Sequence, residues 1–275
     1  MNRRFEGRRA LVTGASRGLG ASVARRLAAE GAEVALVART LGTGDEADGS
    51  LRVTQALCER HGGTVAAVVA DLTDDAARAQ VVPQAHQALG GPIEILVNNA
   101  AAAIPVALTE ISAAQQRTQF EANVITPLVL AQAVVPAMRD AGEGWIVNLS
   151  SVGAERFPGP PFPSNPVGST MDVYGASKAA LNKVTNGLAV ELYGTGIRIN
   201  TVQPRIAVMS EGMRAFADKV GPGVFEEMEQ IVEAVVALCA CTEEQTGQVT
   251  ESQSLLAELR ITPRGIDGET IADTP

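Results

Sequence analysis

Tyr174 and Lys178 stand four residues apart in the stretch Val173-Tyr174-Gly175-Ala176-Ser177-Lys178, at the start of an amphipathic helical pattern. On a helix this spacing puts a phenol and an ammonium on one face, one turn apart. A phenol of ordinary pKa, near 10, exchanges protons poorly at neutral pH, and a fixed neighbouring cation favours its phenolate. Lowering that pKa by about three units takes roughly 4 kcal/mol of differential interaction. A held lysine together with a second positive group is of that order. The pair alone is a common accident on helices, so its meaning depends on the elements that would position it.

The first of these elements lies at the N-terminus. Ala10-Leu11-Val12 reads as a short buried strand, followed by Thr13-Gly14-Ala15-Ser16-Arg17-Gly18-Leu19-Gly20 and then by Val23 and Leu27 at helical spacing. Gly14 suits a tight turn. Gly18 and Gly20 remove side chains where backbone approaches a pyrophosphate and where helix meets strand. Free N–H groups and the positive end of the helix then face the phosphates. The spacing Gly-x-x-x-Gly-x-Gly differs from the Gly-x-Gly-x-x-Gly fingerprint.

Gly31 to Arg39 carries a second, nearly continuous apolar strand, as expected for a parallel strand covered on both faces. At the end of such a strand an acid binds the ribose hydroxyls of NAD, whereas an arginine pairs with the 2′-phosphate of NADP. Ala38 occupies the position where the acid is sought, and Arg39 follows it. Arg17 in the glycine turn is a second guanidinium suited to phosphate. Together they favour NADP(H), with NAD(H) possible and two ordinary surface arginines as the alternative.

Val65–Ala70 leads into Asp71-Leu72-Thr73, Ile93–Val97 into Asn98-Asn99-Ala100-Ala101, and Trp145–Leu149 into Ser150-Ser151. Asp71 either accepts from an adenine amino group or caps the helix that follows. Helical patterns lie between the strands, including Phe120 to Met138 with Asn123 and Pro127. This alternation predicts an α/β fold, a Rossmann-like doubly wound parallel sheet with helices on both faces and its ligand site at the strand C-terminal ends.

From about residue 7 to residue 204 the chain resembles the short-chain dehydrogenase/reductase family. The motifs are the glycine turn Thr13–Gly20, Asn98-Asn99-Ala100-Ala101, Asn123, Ser150-Ser151, Tyr174–Lys178 and Ile197-Arg198-Ile199-Asn200-Thr201-Val202-Gln203-Pro204. The resemblance implies a catalytic tetrad of Asn123, Ser151, Tyr174 and Lys178. Tyr174 is then the acid/base and Ser151 holds the substrate oxygen, with Ser150 as its competitor. Lys178 binds the nicotinamide ribose and lowers the Tyr174 pKa, and Asn123 supports a relay water through its backbone carbonyl. The implied cofactor-binding set is Gly14, Ser16, Arg17, Gly18, Leu19, Gly20, Arg39, Asp71, Leu72, Asn99, Ala100, Tyr174, Lys178, Pro204 and Val208.

The 275 residues suit one domain, residues 1–275, with 46% hydrophobic but only 3% aromatic residues, so alanine, valine and leucine build the core. A net charge of −9 argues against nucleic-acid binding as the main activity. The basic start (Arg3, Arg4, Arg8, Arg9) leads into a strand and not into a signal-peptide apolar stretch, and no uninterrupted apolar run of membrane-spanning length is present. Cys58, Cys239 and Cys241 read as reduced, buried thiols of a cytoplasmic protein. His61 and His86 have no partner pattern and read as surface residues. No metal is implied.

Four departures from the family pattern bear on the substrate. The insertion at about 156–170 carries five prolines, which exclude a helix, and separates Ser151 from Tyr174 by more than the usual spacing. Its Phe157 and Phe162 either line a pocket or belong to a solvent loop or subunit contact. Arg205 replaces the glycine usual after the proline, and either bends outward, narrows the site or offers a cation to an acidic substrate; Val208 then contacts the carboxamide through its backbone. Leu41–Ser50, with Gly42, Gly44, Asp45, Glu46, Asp48 and Gly49, reads as a polar insertion beside the adenosine, its acids awkward beside a 2′-phosphate. Thr246-Gly247-Gln248-Val249 reads as the last strand without the family's Asp-Gly-Gly ending; Ser252–Leu259 follows as a helical pattern, with a tail that folds over a neighbouring subunit.

A substrate lid is expected at about 205–230. Met209, Met213, Phe216, Val224, Phe225 and Met228 make it apolar, for a lipophilic substrate or for its own packing. Phe120–Met138 and Tyr174–Tyr193, the latter with a stripe of Leu181, Val184, Leu188 and Leu192, are the expected interface of a homodimer or homotetramer. The leading expectation is an NADP(H)-dependent oxidoreductase acting on the carbonyl or secondary alcohol of a lipophilic small molecule. The alternatives are a weakly catalytic sensor or scaffold that binds dinucleotide and a 3-oxoacyl-carrier-protein reductase, the latter disfavoured by the acidic charge.

Overall fold

The computed structural model describes residues 3–42, 49–162, 171–208 and 225–271. Asp45, Glu46, Asp48, most of the proline-rich insertion and the lid residues Met209, Met213, Phe216 and Val224 lie outside these.

Seven strands form one parallel sheet: β1 (Arg9–Thr13), β2 (Glu33–Ala38), β3 (Val65–Val69), β4 (Ile95–Asn98), β5 (Gly144–Leu149), β6 (Ile197–Gln203) and β9 (Val249–Glu251). A separate two-stranded parallel ladder joins β7 (Ala207–Val208) to β8 (Phe225–Glu226). The order of the large sheet is β3-β2-β1-β4-β5-β6-β9. Strand order therefore reverses between β1 and β4, the switch point at which a doubly wound sheet opens a crevice.

The strands are apolar at nearly every position because both faces are covered. Ala10, Val12, Val34, Leu36, Ile95, Val97 and Val147 enter one core. That core is closed by α1 (Gly18–Ala29), α2 (Leu51–Glu59), α8 (Met228–Leu238) and α9 (Ser252–Leu259). The intervening Leu11, Ala35, Val37, Leu96 and Ile146 point into a second core. Its cover comes from α4 (Val81–Leu89), α6 (Thr126–Ala141) and α7 (Asp172–Glu191), while a short α3 (Asp75–Ala79) precedes α4. The period of two is present, but each face finds its own helices.

The expected helix Phe120–Met138 is divided. Helix α5 (Ala113–Phe120) runs into a π turn, Glu121–Ile125, and α6 begins at Thr126. Pro127 sits in the first turn of α6, which continues from the π turn, so its missing N–H interrupts the i→i−4 pattern there and the extra residue of the π turn absorbs the change of register. By length and composition Ala113–Ala141 could cross a membrane. Here α6 lies on the sheet, with Leu130, Ala131, Val134 and Met138 buried.

The last strand also differs from expectation. Residues 246–248 form the approach, with Gly247 at φ +74° and its N–H donating to the Ile199 carbonyl at 2.8 Å. Pairing begins at Val249 opposite Thr201. Beyond α9 residues 264–267 make contacts with α1 and with the residues after α2. Asp267 accepts from Arg25 at 2.8 Å and contacts His61 at 3.3 Å, and Arg26 donates to the Gly265 carbonyl at 3.0 Å. His61 is thus tied into the fold. His86 is too, its Nε2 accepting from the Ile93 N–H at 3.2 Å. Neither is a free surface histidine.

Candidate active site

The C-terminal ends of β1 to β6 converge on one cleft of about 1470 Å³. This exceeds the ~300–1,000 Å³ typical of a small-molecule pocket and leaves room for a dinucleotide with a substrate beside it. All the residues of the expected catalytic and cofactor-binding sets line this cleft except Asn123, which stands behind its wall.

Thr13 and Asn99 hold the glycine turn. The Thr13 hydroxyl accepts from the N–H groups of Asn99 (2.9 Å) and Ala100 (3.0 Å), and the Asn99 amide donates to the carbonyls of Thr13 (2.9 Å) and Gly14 (3.3 Å). Gly14 has φ +66°, and a Cβ there would come 2.8 Å from the Asn99 amide nitrogen. A Cβ on Gly20 would run into the Gly14 carbonyl and the same amide. Asn99 therefore holds the loop with its side chain, while Ala100 lines the cleft.

The N-terminus of α1 fits a pyrophosphate. Its N-cap, Arg17, makes no side-chain cap, and no acidic residue stands in the first turn. The early N–H groups and the positive helix end thus remain available to an anion. Arg17 and Arg39 are both exposed at the end of the cleft formed by the glycine turn and the end of β2. Asp71 is nearby and is not the cap of α3. Asp74 holds that place, accepting from the Ala77 N–H at 2.7 Å. One Asp71 oxygen accepts instead from the Thr73 N–H (2.9 Å) and hydroxyl (2.8 Å). The Thr73 N–H, then its hydroxyl, and to a lesser degree the Arg39 charge hold the Asp71 carboxyl below its usual range. The Leu72 carbonyl is fixed from behind by Arg78 at 2.9 Å and Thr126 at 2.8 Å.

At the other end, Ser151 follows β5, and Tyr174 and Lys178 project from the first turns of α7. The Lys178 ammonium is buried, donates to the Leu149 carbonyl at 2.6 Å and lies 5.7 Å from the centre of the Tyr174 ring. Desolvation pulls its pKa down to about 8. Tyr174 keeps some surface towards the cleft but is densely surrounded by protein. Desolvation pushes its phenol above the ordinary value, and the hydrogen bond with the Ser151 side chain opposes this only in part. Ser151 also accepts from the Gly153 N–H at 3.1 Å. Ser150 is buried, and its hydroxyl has no partner among the described residues.

Asn123 is fully buried in the π turn, and its amide is committed to structure. It donates to the Ala102 carbonyl (2.8 Å) and the Ser177 hydroxyl (2.9 Å) and accepts from the Ala102 N–H (2.8 Å). Ser177 in turn donates to the Tyr174 carbonyl at 2.6 Å. Asn123 thus ties the segment after β4 to the turn of α7 that carries Tyr174. Thr13 and Ser177 were not singled out in the sequence, although both fall inside the motifs.

Phe157 lines the cleft, whereas Phe162 is exposed and stacks over Gly159. Arg205 is exposed at the cleft wall, and its guanidinium turns outward to Gln253 on α9 at 3.1 Å. Cys58, Cys239 and Cys241 are free and buried. Among the described residues no group of three or more metal-type side chains forms.

A parallel sheet with an uncapped helix and glycine turn at its switch point defines a Rossmann-like dinucleotide fold. The short chain dehydrogenase family model matches residues 8–219, and the chain belongs to that family of NAD(P)-dependent dehydrogenases and reductases. It is 35% identical over 198 residues to the ketoacyl reductase HetN of Nostoc sp., covering 72% of this chain and 63% of that protein. It is 34% identical over 251 residues to L-xylulose reductase of Bos taurus, covering 86% and 91%. Among solved structures, a 3-oxoacyl (acyl-carrier-protein) reductase from Agrobacterium tumefaciens with NADP bound superposes with a TM-score of 0.76 at 27% identity, covering 90% of this chain and 93% of the other.

Proposed function

We propose that this protein is an NADP(H)-dependent carbonyl reductase or alcohol dehydrogenase acting on a lipophilic small molecule, with Tyr174 as its acid/base. The observation that carries this reading is the meeting of Ser151, Tyr174 and buried Lys178 at one end of a cleft whose other end holds Arg17 and Arg39. The nicotinamide, when bound, supplies or accepts the hydride. Ser151 orients the substrate oxygen beside the phenol. Tyr174, a phenol and therefore protonated at neutral pH, donates its proton to that oxygen as negative charge develops there. Lys178 spends one N–H on Leu149 and has two more for ribose hydroxyls and for steadying the phenolate. With the Asn123 amide committed elsewhere, its backbone carbonyl is the group left for a relay water.

Arg17 and Arg39 support preference for the 2′-phosphate, as does NADP in the Agrobacterium reductase. Ile104, Val152, Phe157, Met171 and Ile206 make the substrate wall largely apolar. Of the expected insertion and lid, Phe157 and Arg205 to Val208 lie on the cleft wall. The three buried free thiols support a cytoplasmic location. Phe120, Ile125 and Val190, with Tyr193 just beyond the end of α7, are exposed on the two segments assigned to a homodimer or homotetramer contact.

The test is oxidation of NADPH and NADH against a panel of ketones, aldehydes, quinones and sugars. Tyr174→Phe should lower kcat by about 10²–10⁴-fold, the usual weight of a positioned acid. Wild-type rates in that variant would overturn the mechanism. Arg39→Ala should weaken NADPH far more than NADH, and equal losses would remove the 2′-phosphate assignment.

A further inference from the structure

We propose that Glu226 is a positioning residue for hydride transfer, holding the cleft wall Pro204–Val208 in place from beneath; the proposal rests on the function assigned above. Glu226 is 2% exposed, an unusual place for a carboxylate that forms no ion pair among the described residues and feels the Arg205 charge only as the weakest influence on it. One of its oxygens accepts from the backbone N–H of Arg205 at 2.7 Å. The other accepts from the hydroxyl of Ser252, which is itself fully buried at the start of α9. Burial raises the Glu226 pKa first, and Glu251 nearby adds to this; the Ser252 and Arg205 hydrogen bonds act against it. Such a group is kept only where it is over-determined by its surroundings.

What it determines is the wall. Arg205, Ile206, Ala207 and Val208 line the cleft just beyond β6, and β7 pairs Ala207 with Phe225 and Val208 with Glu226 itself. Glu226 therefore fixes this segment by its backbone ladder and by its side chain. Through Ser252 it also fastens the segment to the end of the large sheet. Arg205 reinforces the same junction, because its guanidinium reaches Gln253, the residue after Ser252, and Gln253 in turn donates to Gln230 at 3.1 Å. The Arg205 side chain is accordingly a strut outside the site. A segment that bounds the reacting end of the cleft sets the distance between donor and acceptor carbons, and small displacements there are expensive.

The experiment compares wild type, Glu226→Gln and Ser252→Ala in the full chain. Glu226→Gln keeps shape but removes the charge and leaves one acceptor atom where two are used, and Ser252→Ala removes one donor. Three quantities are read at 25 °C: kcat/KM for the best carbonyl substrate, the primary isotope effect with 4-deuterated NADPH, and the Kd of 2′,5′-ADP. Positioning predicts a tenfold or greater loss of kcat/KM in Glu226→Gln, a smaller one in Ser252→Ala, a larger isotope effect in both, and 2′,5′-ADP affinity within twofold of wild type. Unchanged kcat/KM and isotope effect would overturn the proposal, as would equal weakening of 2′,5′-ADP. If Glu226→Gln does not fold, Ser252→Ala decides on the same readouts. If Tyr174→Phe is fully active, the acid/base reading fails, whereas an inactive Tyr174→Phe with a normal Glu226→Gln sinks only the positioning role.

Discussion

Replacing Lys178 by methionine should make the protein more stable and nearly inactive. Burial moves the lysine from 10.5 to about 8. At about 1.36 kcal/mol per unit, keeping the ammonium charged at pH 7 costs about 3 kcal/mol. The hydrogen bond to the Leu149 carbonyl returns roughly 1.5–3 kcal/mol, as bonds to charged groups do. Methionine fills a similar volume and removes both terms, so Lys178→Met should gain about 1 kcal/mol at pH 7, or about 2–4 °C in Tm for a chain of this size. The sign with pH follows from linkage. Between pH 8 and 10.5 the unfolded lysine holds a proton that the folded one has released, so wild type gains stability as pH rises through that window. The variant lacks this gain, and its advantage should shrink and then reverse towards pH 10. Activity moves the other way, with kcat/KM expected to fall by about 10²-fold or more. Differential scanning fluorimetry from pH 7 to 10, with assays on the same samples, decides the matter. A Tm at pH 7 lower than wild type by more than about 4 °C, or a difference independent of pH, would refute the reasoning.

Gly20→Ala places a Cβ against the Gly14 carbonyl and the Asn99 amide, so the turn must open. NADPH affinity by fluorescence titration should drop at least roughly tenfold, equivalent to about 1.4 kcal/mol, and unchanged affinity would count against the pyrophosphate assignment. Glu233→Ala removes one of the two carboxylates that enclose the fully buried Arg26, the other being Glu30 at 2.6 Å. Urea unfolding should show a loss of about 3 kcal/mol, in the range for an uncompensated buried charge, with kcat/KM intact at 25 °C; a loss below about 1 kcal/mol would show that Glu30 alone suffices. Burial pushes the thiols of Cys58 up to about 12 and Cys241 up to about 11, and Cys239 upward as well. A thiol reagent at pH 8 should therefore find none of the three until denaturant is added, and rapid labelling of the native protein would contradict their burial.

The sheet and the cleft were legible because their physics is local. A parallel strand covered on both faces must be apolar throughout, and β1, β2 and β5 read that way. A turn that accepts phosphates must lack Cβ atoms, and Gly14, Gly18 and Gly20 announce it. Roles that depend on neighbours distant in sequence were harder to read. Nothing in Phe120–Met138 marks the π turn apart from Pro127, yet that turn places the Asn123 amide against both Ala102 and Ser177. The burial of Tyr174 could not be read from its spacing to Lys178, since spacing specifies a partner but not the desolvation that raises the phenol's pKa.

The Arg205 junction shows why the missing part concentrates near the substrate. Arg205, Glu226 and Ser252 are separated by 21 and then 26 residues and belong to no repeating pattern. In the sequence Arg205 therefore left an outward turn, a narrowed site and a cation for an acidic substrate all open, and nothing singled out Glu226. Together they form a closed arrangement. The backbone N–H of Arg205 and the Ser252 hydroxyl satisfy a buried carboxylate, and the Arg205 guanidinium reaches Gln253 where the family's Asp-Gly-Gly ending is absent. Two departures from the family pattern, an arginine after the proline and a helix after the last strand, are thus two sides of one contact. Changing either alone should disturb the wall, whereas exchanging Arg205 and the segment from Ser252 together for family-type residues should disturb it less. Coupling of that kind appears as non-additive losses in kcat/KM across a double-mutant cycle, and additive losses would separate the two departures again.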